Sequence, residues 1–288
     1  MATTVSFAVG SPTGPRTVDV SYERTGSGEP LVLLHGIGHH RQAWDPVLRI
    51  LALERDVIAV DLPGFGATPA LPEGLTHDLG TMVPVLGSFF DALGVVRPHV
   101  AGNSLGGLLA LELGRERLVR SVTALSPAGF WTQGERRYAF GVLRAMRGAA
   151  LSMPMPVIER LSRSAPGRTV LTSTIYARPG RRSPGAVVSE TVALREATGF
   201  GETLDAGRAV EFTHDVPDVP VSIAWGSKDC LLVPRQGVRA KRAIPGARLV
   251  RLPGCGHVPM NDDPAAVARV ILDTSRRPAA ASATAQYA

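Results

Sequence analysis

Gly102, Ser104 and Gly106 are spaced as G-x-S-x-G in "HVAGNSLGGLLALELG", a stretch that reads as a strand passing sharply into a helix. A turn of that kind holds the serine in strained backbone geometry with its Oγ projecting above the sheet. Side chains at the glycine positions would collide with neighbouring backbone. The chemistry on offer is nucleophilic attack by a hydroxyl. The helix that starts just after Ser104 aims its first N–H groups at any negative charge forming beside that hydroxyl, and Gly107 lets the helix pack close.

A serine hydroxyl attacks poorly at neutral pH unless a neighbouring base takes its proton. Seven histidines compete for that role. His257, in "GCGHVPM", follows the last predicted strand on the sheet edge where the serine must lie, and is the expected base. His35 ends a strand, but it introduces the "HGIG" turn and is expected to shape it by hydrogen bonding. His39 and His40 lack the carboxylate or cysteine pattern that would complete a metal site, so no metal is expected. His77, His99 and His214 read as surface or element-boundary residues.

An imidazole that shuttles a proton needs an acid to hold its tautomer and stabilise its cation. Asp229 ends "VSIAWGSKD" at the carboxyl end of a strand and precedes His257 by one helix and one strand, which gives the chain order Ser, Asp, His. Asp61, in "DLPGFG", is its main rival, with loop shaping as the alternative role. Asp205, Asp215 and Asp218 come before the strand. Charge developing on a carbonyl oxygen also needs donors. The backbone N–H of Leu105 supplies one and that of Ile37 the other, with Gly36 and Gly38 letting the chain come near. Each is worth about 2.7 to 4 kcal/mol of barrier.

These residues must be carried by a scaffold. Short apolar runs recur as "VDVSYERTG", "PLVLLHG", "DVIAVDLPG", "HVAGNS", "SVTALSPAG", "VSIAWGSKD" and "RLVRLPGCGH", several so continuously apolar that they suit a parallel sheet buried on both faces. Helical periods such as Thr76 to Leu93 and Leu105 to Glu116 alternate with them, which gives an α/β class. Ligands bind such sheets beyond the carboxyl ends of the strands. The alternation stops between about Phe130 and His214, where helical patterns fill what reads as an insertion over the sheet edge. Its best defined helix has Ser183 as N-cap, Pro184 at the first position and Gly199 past the end. The small, polar stretch after about Ser275 reads as a disordered tail.

The 288 residues, 44% hydrophobic, suffice for one large domain or a domain with a substantial insertion. The net charge of +6 and pI near 10.0 arise from scattered arginines without an aromatic-laced stripe, which argues against a nucleic-acid partner. Arg136, Arg137, Arg144, Arg147, Arg178, Arg181 and Arg182 share the middle section, where a solvated helical face explains them. No apolar run approaches the roughly 20 residues of a membrane span, and "MATTVSFAVG" lacks a secretory pattern, so a cytoplasmic location without membrane association is expected. Cys230 and Cys255 are too few for a disulfide framework. They adjoin Asp229 and His257, and buried apolar packing is expected of them ahead of a disulfide.

Taken together, "LLHGIG" with Trp44 downstream, "DLPGFGAT", "GNSLGG", "WGSKDCLLVP" and "GCGHVPMNDDP" resemble the α/β-hydrolase superfamily over nearly all of residues 17 to 273. The resemblance implies a mostly parallel, roughly eight-stranded sheet flanked by helices, with a helical cap inserted after the sixth strand. It divides the chain into a core of 1–129 and 215–275, a cap of 130–214 and a tail of 276–288. Carried onto this chain, it implies Ser104 as nucleophile, Asp229 as acid, His257 as base, and Ile37 and Leu105 as oxyanion donors, without a cofactor. Serine at the nucleophile position separates the chain from dehalogenases and epoxide hydrolases, which use aspartate. Asn103 is similar to the meta-cleavage-product C–C hydrolases, but Val258 stands where those carry tryptophan, and "HGIGHH" lacks their proline.

The expected activity is hydrolysis of a small-molecule ester with a small or medium apolar acyl group through an acyl-enzyme. C–C cleavage, thioester hydrolysis or acyl transfer on the same triad are the alternatives, and a ligand-binding protein without turnover is the reading from another class. Phe140, Leu143, Met146, Met153, Met155 and Ile175 are candidate pocket walls. The oligomeric state cannot be read from the chain.

Overall fold

The computed structural model describes residues 2–277. The disordered tail expected from 276 onward therefore falls, from 278, outside the described residues. Among the described residues, eight strands form one sheet: β1 (Thr3–Val9), β2 (Arg16–Gly26), β3 (Glu29–Leu34), β4 (Arg55–Val60), β5 (His99–Asn103), β6 (Ser121–Leu125), β7 (Val221–Gly226) and β8 (Arg248–Leu252), in the order β1-β2-β4-β3-β5-β6-β7-β8. The pairs β1–β2 and β2–β4 are antiparallel and the rest are parallel. The strands expected to be buried on both faces are so: β4, β5, β6 and β7 are buried at every position. The apolar runs of the sequence omit β1, because "TTVSFAV" alternates exposed with partly buried residues, as an edge strand must.

Successive side chains of a strand point to opposite faces, so the sheet builds two cores. Val32 and Leu34 join Phe89 and Leu109, from helices α2 (Leu79–Ala92) and α3 (Leu105–Arg115). Leu31 and Leu33 join Val47, Leu51 and Ile271, from α1 (Asp45–Leu51) and α11 (Pro264–Ser275). Helix α2 starts three residues later than its periodicity suggests, because the Asp78 carboxylate accepts the Thr81 N–H at 3.0 Å and caps it there.

Between β6 and β7 no strand forms among the described residues. Five helices stand there: α4 (Gln133–Ser152), α5 (Met155–Ser162), α6 (Ala165–Thr172), α7 (Pro184–Glu196) and α8 (Phe200–Ala206). Helix α7 begins as expected, with Ser183 Oγ accepting the Ala186 N–H at 3.1 Å and Pro184 at the first position. Helix α9 (Arg235–Ala243) links β7 to β8, and α10 (Pro259–Asp262) follows β8.

The register levels the carboxyl ends of the central strands. Leu34 lies opposite Gly102, Gly102 opposite Ala124, and Ala124 opposite Ile223. The residues just past each strand therefore emerge on one rim. The chain also reverses its direction of travel across the sheet there, since β3 is flanked by β4 on one side and β5 on the other. A crevice opens at such a switch point.

The turn at the end of β5 fits only because two glycines lack side chains. A Cβ on Gly102 would stand 2.0 Å from the Gly106 carbonyl oxygen, and one on Gly106 would stand 2.2 Å from that of Leu34. Gly106→Ala is expected to lower the unfolding free energy by at least about 2 kcal/mol in urea titration, as overpacking against backbone does. Gly141→Ala, on α4 where nothing lies within 4 Å, should instead stabilise by about 0.5 to 1 kcal/mol. Equal effects at the two sites would contradict the steric argument.

Candidate active site

Ser104 sits between β5 and α3 with φ +56° and ψ −113°, a left-handed conformation rarely adopted by side-chain-bearing residues. Holding it there costs of order 1–3 kcal/mol, which the surroundings must overdetermine. They do so by donating the Ser104 N–H to the Leu125 carbonyl at 2.9 Å and by engaging the Ser104 carbonyl with the N–H groups of Leu108 and Ala128 at 3.0 and 3.1 Å. Gly36 brings the β3 turn alongside, since a Cβ there would lie 3.2 Å from Ser104 Cβ.

Asp229 follows β7 and His257 follows β8, and the two loops are stitched together. The Ser227 N–H donates to Leu252 O, the Lys228 N–H to Cys255 O, and the Gly254 N–H to Ser227 Oγ. A Cβ on Gly226 would stand 2.1 Å from the Gly256 carbonyl oxygen. This close approach places His257 Nδ1 2.8 Å from Asp229 Oδ2, both side chains being almost wholly buried. The other oxygen, Asp229 Oδ1, accepts the N–H groups of Leu231 and Leu232 at 3.0 and 2.8 Å. Three donors thus converge on one buried carboxylate. Because a carboxylate only accepts, Nδ1 carries the proton and Nε2 keeps its lone pair, the tautomer a base requires.

Ser104 and His257 line one cavity, together with Ile37, His39, Asn103 and Glu190. The hydroxyl and the imidazole are not hydrogen-bonded to each other in this structure. Such contacts often tighten only when substrate is bound. Among the described residues the N–H groups of Ile37 and Leu105 have no hydrogen-bond partner. Both residues line a second cavity that shares Ser104 with the first. Ser104, Ile37 and His257 thus share the first cavity, Ser104, Ile37 and Leu105 share the second, and Asp229 is joined to them through its hydrogen bond with His257.

The rival assignments resolve into structure. Asp61 is fully buried and accepts hydrogen bonds from the Arg41 N–H, the Arg41 guanidinium and the Ala67 N–H, so it shapes its loop. His35 accepts the Leu62 N–H on Nε2 at 3.0 Å and so donates from Nδ1 to Gly36 O at 2.8 Å, shaping the turn as expected. His77 and His99 do stand at element boundaries but are buried. The first pairs with Glu202 and the second with Ser121 and Glu29. Both cysteines are free. Cys255 is buried, its thiol pushed up to about 11 by desolvation, whereas Cys230 is exposed, against the expectation of buried packing. Among the proposed walls, Leu143, Met146 and Ile175 line the first cavity and Phe140 and Leu143 the second, but Met153 and Met155 line neither. Of the middle arginines, Arg147 and Arg178 are not free solvated charges: Arg147 bonds the carbonyls of Leu194 and Ala197, and Arg178 bonds that of Asp262.

Three residues have roles here that the sequence does not assign them. Asn103 donates its amide hydrogens to Leu125 O at 3.1 Å and His257 O at 2.9 Å, anchoring the base loop. Asp262 accepts from the N–H groups of Gly256, Ala177 and Arg178, clamping that loop to the segment before α7. Its place in "HVPMNDDP" was the available signal. His39 accepts the His40 N–H on Nδ1 and so donates from Nε2 to the Tyr176 hydroxyl at 3.3 Å. No sequence signal joins residues 137 positions apart. Among the described residues no cluster of three or more histidines, cysteines or carboxylates is placed to hold a metal ion. No helix among them is long and apolar enough to cross a membrane.

The sequence profile of the Alpha/beta hydrolase family matches residues 31–270. The pimeloyl-[acyl-carrier protein] methyl ester esterase of Neisseria meningitidis serogroup C is 28% identical over 238 residues, which cover 79% of this chain and 86% of that one. A thermophilic esterase from Thermogutta terrifontis superposes with a TM-score of 0.73 at 20% identity, over 94% of this chain and 98% of that chain. The meta-cleavage product hydrolase of Pseudomonas fluorescens IP01 gives a TM-score of 0.70 at 20% identity, over 90% and 94% respectively. At these identities the two structural likenesses speak for the fold.

Two outcomes are expected. Asp262→Ala strands three N–H groups and should reduce the unfolding free energy by about 2 kcal/mol or more in urea titration; an unchanged midpoint would show that the clamp carries no load. Burial holds His39 well below the ordinary imidazole value and His40 down to about 4, from 6.5. The unfolded chain then binds more protons than the folded protein below pH 6.5, so stability is full above that value and is lost as pH falls toward 4. The loss should reach about 3 kcal/mol from His40 alone. Unfolding curves measured across that window should flatten in His40→Gln; an identical slope in the variant would contradict the assignment.

Proposed function

The chain belongs to the alpha/beta hydrolase family, and from that premise we propose that it is a serine hydrolase cleaving a carboxylic ester with a small or medium apolar acyl group. The observation that carries this reading is the buried His257–Asp229 pair at 2.8 Å, on the cavity that also holds a strained Ser104. His257 Nε2 takes the Ser104 proton as Oγ attacks the ester carbonyl, and Asp229 stabilises the imidazolium that forms. The N–H groups of Leu105 and Ile37, free of other partners, receive the oxyanion. The imidazolium then protonates the departing alcohol. Water, activated by the same imidazole, releases the acid from the acyl-enzyme.

The helices α4 to α8 act, in this reading, as a cap of 130–214 over a core of 1–129 and 215–275. Leu143 and Met146 from α4 and Leu194 from α7 wall the cavity beside Ser104. The two cavities flanking Ser104 hold about 70 and 60 Å3 of free space, which favours short acyl groups. Walls such as Leu108, Phe140 and Leu204 make the second cavity apolar. The esterase named among the relatives acts on an ester, which agrees with this assignment. Asn103 links the chain by type to C–C hydrolases, yet both its amide hydrogens are spent on carbonyls of the fold, so its presence needs no C–C substrate.

Incubation with a fluorophosphonate followed by intact mass should give a single adduct that Ser104→Ala abolishes. On p-nitrophenyl esters, kcat/KM should favour acetate and butyrate over palmitate, and Ser104→Ala or His257→Ala should lower kcat by on the order of 10⁶. A loss below about tenfold, or a preference for a vinylogous diketone over every ester, would overturn the proposal.

A further inference from the structure

A second concentration of charge lies at the end of the sheet remote from Ser104. The register that levels the carboxyl ends of the strands also levels their starts: Glu29 lies opposite Arg55, and His99 opposite Ser121. Arg97 and Arg120 stand just ahead of β5 and β6, and the end of α11 brings Arg276 and Arg277 to the same edge. Glu29, His99 and these five arginines line one open chamber of about 540 Å3.

The charges around the chamber do not balance. Glu29 is its one carboxylate, and it pairs with Arg120. Glu54 and Asp273 reach Arg276 from beside the chamber, but Asp273 is shared with Arg248. Burial holds His99 below the ordinary imidazole value, so it is neutral at pH 7 and offsets nothing. Arg55 is only 8% exposed. It donates from Nε and Nη2 to Ser275 Oγ at 3.2 and 3.0 Å and from Nη1 to the Glu54 carbonyl at 2.9 Å. These acceptors are neutral, and no carboxylate among the described residues pairs with this guanidinium. Buried charges are normally matched by one of opposite sign. The chamber is where such a charge can stand.

The exposed arginines can make the contacts. Arg97 and Arg277 are exposed, and neither has a carboxylate partner among the described residues. Arg97 also has φ +47°, a left-handed conformation that strains an arginine and that glycine or asparagine adopts readily. Strain of this kind collects at functional positions. The Arg97 carbonyl accepts Arg120 Nε at 2.8 Å, which ties two of the guanidinium groups together. Arginine forks match the oxygens of phosphate, and a recess lined by one sign of charge concentrates its field on an anion. Apart from the buried His99 the lining carries no aromatic ring, so no platform stacks a nucleobase. An excess of more than one positive charge, in a chamber of this width, suits two linked phosphoryl groups ahead of a single one.

We propose that this chamber is a binding site for a diphosphate group, held by Arg97, Arg120, Arg276 and Arg277, with Arg55 supplying charge from the wall. Bound there, the anion bridges the end of α11 to the starts of β5 and β6. The inference is independent of the hydrolase reading, because no residue of the chamber belongs to the catalytic rim.

The test is a calorimetric titration of the full chain with pyrophosphate, in metal-free buffer near neutral pH and at about 50 mM salt. A Kd below about 300 μM is expected, with inorganic phosphate at least about threefold weaker. The double variant Arg97→Gln/Arg277→Gln removes two exposed guanidinium groups and should weaken pyrophosphate by at least about fivefold. Arg160→Gln/Arg163→Gln removes the same charge from exposed positions on and just after α5 and should change Kd by less than about twofold. Should the first double variant lose the wild-type unfolding transition, Arg97→Gln and Arg277→Gln are measured singly, each with at least about twofold weakening expected. Adenosine diphosphate separates the two sources of the group. Affinity within about threefold of pyrophosphate assigns the site to a diphosphate on an organic carrier, and weaker binding assigns it to the free anion. A pyrophosphate Kd above about 300 μM overturns the inference, as does a smaller preference over phosphate, a smaller loss in the chamber variants, or an equal loss in the variant of Arg160 and Arg163.

Discussion

A backbone carbonyl stands 2.0 Å from where a side chain on Gly102 would begin, and a second stands 2.2 Å from the corresponding point on Gly106. This contact between the end of β5, the first turn of α3 and the end of β3 constrains everything else at the rim. It holds Ser104 in a left-handed conformation at the start of α3. The same closeness draws the turn after β3 against the serine, with Gly36 alongside it. The strain is tolerable because the Ser104 amide and carbonyl are both tied to neighbouring loops.

Buried carboxylates hold the remaining loops, and they do so by one rule: an anion taken out of water keeps its charge only if several donors converge on it. Asp229, Asp61 and Asp262 each accept three or more hydrogen bonds, mostly from backbone N–H groups. They differ in the nature of one donor. For Asp61 it is a guanidinium, so the carboxylate is locked in a structural pair. For Asp262 all the donors are backbone. Asp229 alone among the three has an imidazole as donor, that of His257, which lines the cavity beside Ser104. One physical solution thus serves two structural clamps and one chemical group. The ion pair of Glu190 and Arg182 is a fourth variation, in which the carboxylate retains a spare oxygen.

Legibility in the sequence followed the range of the interactions involved. The parallel strands were visible because residues buried on both faces must be apolar in unbroken runs, and the start of α7 because Ser183 and Pro184 cap locally. The edge strand β1 escaped for the converse reason, since one exposed face dilutes its pattern. Met153, just past α4, and Met155, at the start of α5, line neither cavity, and in sequence a methionine looks the same whether it faces a cavity or packs elsewhere. Cys230 is exposed because adjacency to a buried aspartate does not fix the direction of the next side chain in a turn.

By itself the sequence determined the chemistry on hand: a serine between glycines at a strand-to-helix turn, with an aspartate and a histidine each just past a later strand. Those are local facts, set by backbone sterics and by the hydrophobic pattern that stacks the strands. What only the tertiary structure decided was that the Asp229 and His257 side chains reach hydrogen-bond distance, that Asn103 and Asp262 pin the base loop, and that His39 and Glu190, braced by Tyr176 and Arg182, line the cavity beside the serine. The pairings of His39 with Tyr176, Asn103 with the His257 carbonyl and Asp229 with His257 join residues far apart in the chain. Their energies depend on distance, burial and the direction of lone pairs, which composition and spacing do not record.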